Sequence, residues 1–159
     1  MRIFILLTLT LFSFSVSAQK EMDTLVKRCP VYITDTTGYN NYFLEFQPAT
    51  IHVDKAKGDL SIVIEQRDQF FSLFFGKKHL ENQVYKIKSS AKKNNEVAAK
   101  YSFRAGAQVS YVTVTSGTVE TSYDKETNLW NVKVDGILSN MVGRGISYFK
   151  VKADFYIRD

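Results

Sequence analysis

The strongest constraint on this chain is a period of two in its hydropathy pattern, clearest toward the last residues. Phe149, Val151, Ala153, Phe155 and Ile157 alternate with Lys150, Lys152, Asp154, Tyr156 and Arg158. Just before them, Trp130, Val132, Val134, Gly136 and Leu138 alternate with Asn131, Lys133, Asp135, Ile137 and Ser139. Successive side chains of a strand point to opposite faces, so each segment offers one apolar face to a core and one polar face to water. A helix cannot satisfy that spacing.

Shorter segments repeat the pattern. Strands are expected over 31–34, 42–47, 50–54, 59–65, 69–75, 83–88, 97–104, 109–115 and 118–123, with a tight turn at Ser116–Gly117 joining the last two. Turn formers separate the others: Thr37–Gly38, Gln47–Pro48, Lys57–Gly58, Gly76–Lys77, Asn94–Asn95 and Ala105–Gly106. Only 20–27 and 90–100 have room for a helical turn or two, and neither shows a 3.6-residue stripe. The expected fold is all-β, an antiparallel sandwich or barrel of about 8–10 short strands.

The first 18 residues follow a different logic. A positive start (Met1–Arg2), an apolar run to Phe12 and small residues ending in Val16 and Ala18 match a secretory signal peptide. A membrane-spanning helix needs about 20 apolar residues, more than this run supplies. The expected organisation is therefore a signal peptide over 1–18 and a single all-β domain over 19–159, exported to the periplasm or secreted. Cys29 is the only cysteine, which excludes an intrachain disulfide. It lies well beyond the apolar run, unlike a lipid-acceptor cysteine, so a soluble protein without a lipid anchor is expected.

Catalytic and metal chemistry find little here. His52 and His79 are the only histidines, and no G-x-S-x-G motif is present. Two histidines and one cysteine do not make a structural zinc site. Asp124, Glu126 and Asn128 resemble the start of a calcium loop, but Leu129 and Asp135 stand where that loop needs glycine and glutamate. They are better read as turn residues. The expectation is no enzyme, no cofactor and no metal.

Two features point to binding. In 70–75, Phe70, Phe71, Leu73, Phe74 and Phe75 break the alternation, so both faces of that strand should be covered. The segment is a central strand, the wall of an apolar pocket formed by Phe70, Phe71, Phe74 and Phe75, or an oligomer contact. The second feature is charge. The chain carries 21 basic and 16 acidic residues. From Lys77 to Arg104, eight basic residues face only Glu81 and Glu96. Alternation turns Lys86, Lys88, Lys100, Arg104, Lys133, Lys150 and Lys152 outward, with Tyr148 and Tyr156 beside them. Such a face attracts phosphates, anionic glycans or an acidic partner, or is ordinary solvated surface with edge-protecting lysines. The surplus is too mild, and export too contrary, for a nucleic-acid partner.

The segment TSGTVETSYDKETNLWNVKVDGILS and the alternating SYFKVKADFYI after it resemble small exported bacterial all-β domains. The resemblance covers roughly the last third of the chain. It implies an antiparallel sandwich or barrel in a bacterial envelope and carries no active-site residues. The expected function is an exported, non-catalytic binding module for an envelope or extracellular component. The runner-up is a small barrel carrier of an apolar ligand, and a hydrolase stands third.

Overall fold

The computed structural model describes residues 24–26, 30–35, 49–56, 58–142 and 145–159. The signal peptide expected over 1–18, Cys29 and the strand expected over 42–47 lie outside the described residues. Ten strands are described: β1 (Thr24–Val26), β2 (Val31–Asp35), β3 (Ala49–Ala56), β4 (Asp59–Gln66), β5 (Gln69–Phe75), β6 (Gln83–Lys88), β7 (Glu96–Ala105), β8 (Gln108–Asp124), β9 (Leu129–Val142) and β10 (Gly145–Ile157). They form one sheet in the order β1-β3-β4-β5-β7-β6-β8-β9-β10-β2, with β7 also pairing β8. No helix occurs among the described residues.

The sheet is curled into a half-barrel, and one ion pair shows how far. Lys55 Nζ at the end of β3 lies 2.7 Å from Asp159 Oδ1, just past β10. Those strands are second and ninth in the sheet. In a flat sheet they would lie about 34 Å apart at the usual strand spacing. The curl gathers one face of every strand from β2 to β10 into a single core. Ile33, Ile51, Ile62, Phe71, Tyr85, Val97, Val119, Val132 and Val151 all belong to it. Each buried aliphatic or aromatic side chain there contributes about 1.5–3 kcal/mol of transfer free energy.

The pairing is antiparallel except between β6 and β7, which run parallel through Lys86–Glu96, Ile87–Val97 and Lys88–Ala98. Seven residues connect them, so this is no ordinary crossover unit. Backbone bonds from Lys86 N to Asn95 O and from Glu96 N to Lys93 O hold the return. Where an antiparallel order was expected, the sheet is therefore mixed.

The expected tight turn at Ser116–Gly117 is absent. Instead β8 runs unbroken for 17 residues, with a register shift between Val114 and Ser116. The bulge lets one strand serve two neighbours on the same side. Before it, β8 pairs with β7; after it, with β6. Gly117 sits at φ 130°, and a Cβ there would collide with the Asp135 carbonyl oxygen on β9. A glycine that reads as a hairpin corner in sequence is required here for close backbone approach at a bulge. The 20–27 segment contains strand β1 rather than a helical turn, paired with β3 through Thr24–Ile51. Likewise 90–100 turns and then enters β7.

Candidate functional site

The two ends of the half-barrel are built differently. At one end the loop from Gly76 to Asn82 folds under the core. Phe75 and Tyr85 meet edge to face at 4.9 Å, and both are fully buried. Glu81 N donates to Tyr85 Oη, Leu80 N to Asp159 Oδ2, and Thr121 Oγ1 to Glu81 O. Side chains fill this end.

Among the described residues, the other end holds a recess of about 660 Å³. Its walls are Ile33 on β2, Tyr101 and Phe103 on β7, Val112 on β8, Leu138 on β9 and Phe149 on β10. Asp68, Gln69, Arg104, Asn140 and Ser147 stand around them. Register explains the composition. Gln69, Asn140 and Ser147 occupy positions in phase with the inward residues Phe71, Leu138 and Phe149, but at the strand ends, where the core stops. Asn140 and Ser147 face each other directly across β9 and β10. Gln69 Nε2 donates to Tyr101 Oη at 2.8 Å. Burial raises the Tyr101 phenol above its ordinary value of 10.0, and the Gln69 hydrogen bond offsets part of that rise.

The run at 70–75 does not form one pocket. Strand geometry sends Phe71 and Phe75 into the core and Phe70 and Phe74 to the outer face, where Phe74 is 39% exposed. None of the four lines the recess. The sequence reading followed hydrophobicity along one strand, whereas the recess draws one to three residues from each of several strands. Its legible trace was polar residues at inward-phase positions near strand ends: Gln69, Asn140 and Ser147.

The lysines expected outward do point outward on one sheet, but they divide into two regions. Lys133, Lys150 and Lys152, with Tyr148 and Tyr156, lie on β9 and β10, where acids interleave. Lys152 stands opposite Asp135, and Lys133 lies between Asp154 and Glu120. Lys86, Lys88, Lys100 and Arg104 lie on β6 and β7. The outward positions of β5, of β7 from Ala98 to Arg104 and of β8 from Val109 to Thr113 carry no acid at all.

The histidines are held apart. His52 Nε2 lies 2.9 Å from Glu65 Oε2 on the outer face of β3 and β4. His79 stands at the filled end, its Nδ1 3.4 Å from Lys55 Nζ. Asp124 caps its own turn, accepting from the Thr127 hydroxyl at 2.8 Å and the Glu126 amide at 2.8 Å. Those bonds, the Thr127 hydroxyl foremost, lower its carboxyl pKa. Among the described residues, no three His, Cys, Asp or Glu side chains are grouped to hold a metal ion. Nor is any helix long and apolar enough to cross a membrane.

Comparison with protein families, curated proteins and solved structures finds no match to this chain. The residues of the recess therefore carry the functional argument unaided.

Proposed function

We propose that this protein is an exported, non-catalytic binding module. Its recess at the open end of the half-barrel holds a small, largely apolar molecule bearing a hydrogen-bonding group. The recess itself supports the reading. At about 660 Å³ it has the size of a small-molecule site, with apolar walls and a few polar groups at the rim. Ile33, Val112, Leu138 and Phe149 offer the ligand's body an environment like the core. Gln69, Asn140, Ser147 and the Tyr101 hydroxyl offer partners to its polar group. The barrel carrier, second among the sequence expectations, thus becomes the leading form of the binding module. Export rests on the segment 1–18, and sequencing of the secreted form should begin at Gln19.

The test is chemical. An organic extract of purified protein, read by mass spectrometry, should contain a bound apolar compound. An environment-sensitive apolar dye should bind and be displaced by that extract. Val112→Trp, at a partly exposed position of the recess wall, should abolish dye binding while the protein stays folded. A clean extract with no dye binding would remove the proposal.

A further inference from the structure

The outer face of β5, β7 and β8 carries a second constellation, which shares only Arg104 with the rim of the recess. Lys100 Nζ lies 5.7 Å from the centre of the Phe74 ring and 5.5 Å from that of Tyr111. The Arg104 guanidinium lies 5.9 Å from the Phe70 ring. Phe74 and Tyr111 are 39% and 68% exposed. Register explains the clustering. Ser72 pairs with Lys100 and Ser102 with Tyr111, so small residues separate the large ones and leave the rings accessible. Beside Phe74 runs a groove of about 390 Å³ bordered by Asp59, Ser61, Ser89, Ser90 and Lys100.

We propose that this groove and the adjoining rings bind an acidic polysaccharide. A sugar unit lies against Phe74, and its carboxylate or sulfate is paired with Lys100. The chemistry matches on each side. A sugar ring has an apolar C–H face for an aromatic wall and a rim of hydroxyls for serine and carboxylate partners. Its anionic substituent meets a lysine that two rings hold in place. The outward positions of β5, of β7 from Ala98 to Arg104 and of β8 from Val109 to Thr113 carry no acid, and the nearest one, Glu65 opposite Phe70, is engaged by His52 at 2.9 Å, whereas β9 and β10 alternate Lys133 and Lys152 with Asp135 and Asp154. Phe70 and Phe74 are four residues apart on one strand, about 13 Å, which suits a chain of several sugars rather than one. A lipid surface would make no use of Asp59 and three serines beside the ring. Single-stranded nucleic acid would also stack on the rings, but the serines and Asp59 beside Phe74 suit the hydroxyl rim of a sugar chain, so an oligonucleotide serves as a comparator in the test.

Equilibrium binding of the full chain to polygalacturonate and heparin, with dextran as the neutral comparator, tests the proposal. Both acidic polymers should bind, more weakly as salt rises, and dextran should not. Lys100→Gln and Phe74→Ala should each weaken binding about tenfold. Lys150→Gln with Lys152→Gln, on the opposite region, should change it less than about twofold. Phe74 is an exposed side chain and Lys100→Gln removes only the charge and one methylene from an outward position, so both variants should unfold within a few degrees of the parent. Three outcomes overturn the proposal: no retention on either acidic polymer, an equal loss from the Lys150 and Lys152 substitutions, or tighter binding to phosphatidylglycerol vesicles or a single-stranded oligonucleotide.

Discussion

The filled end of the half-barrel and its open end share one sheet and one core, yet they spend their side chains in opposite ways. At the filled end, Phe75, Leu80, Tyr85 and Ile157 are all buried. The loop beneath them is tied to β8, and Asp159 joins that loop to β3. At the open end the inward positions turn polar, and the strands of the β7–β8 hairpin run on beyond the core. From Phe103 to Tyr111 every residue is exposed. The difference separates a packed end from one that, among the described residues, is lined but not filled. On the proposed reading the packed end carries stability and the other holds the ligand.

The largest effects should therefore come from the filled end. Tyr85→Ala removes a fully buried ring, its contact with Phe75 and the acceptor of the Glu81 amide. The expected loss is about 3–5 kcal/mol, read from the urea midpoint. Phe103→Ala at the open end, 36% exposed, should cost less than about 1 kcal/mol by the same measurement. Equal losses would erase the distinction between the ends.

Asp159→Ala comes next. The Asp159 side chain is only 4% exposed and Lys55 is 28% exposed, so the pair lies between the buried and surface extremes. Losing it also strips the Leu80 amide of its acceptor. A cost of about 2 kcal/mol is expected. Hydrogen exchange should show faster opening of 76–82 and of the end of β3, with β7 and β8 near the recess unaffected. Faster exchange around the recess as well would mean that the two ends are coupled.

The two ends were also unequally legible in sequence. The all-β class followed from alternation, because one-sided burial is a local property of each strand. Inward and outward sets on β9 and β10 could be read residue by residue. Three things could not. The insertion of β6 between β7 and β8 depends on a bulge at Val114–Ser116, and a bulge leaves the same Ser-Gly trace as a turn. The ion pair between Lys55 and Asp159 joins residues 104 positions apart in the chain. The recess takes Ile33, Val112, Leu138 and Phe149 from four separate strands, each an ordinary inward residue on its own. Only the polar interruptions at Gln69, Asn140 and Ser147 marked where the core ends.

The smallest effect sharpens the comparison from the open end, through Tyr101. Its phenol ionises above 10.0 because burial disfavours the phenolate. With the folded value raised above the unfolded one, the neutral phenol contributes stability that is fully present below about pH 10. That contribution is lost as pH rises through the folded value, since the unfolded chain gives up the proton first. Tyr101→Phe should therefore cost at most about 1 kcal/mol near neutrality, from the lost Gln69 hydrogen bond, and flatten the decline of stability above about pH 10. Absorbance titration at the phenolate band should lose a late-titrating component in the variant. A dye seated in the recess should push that late step later still, because it removes water from the same phenol. If the dye leaves the step unmoved, it binds elsewhere, and the open end loses its claim to be the ligand site.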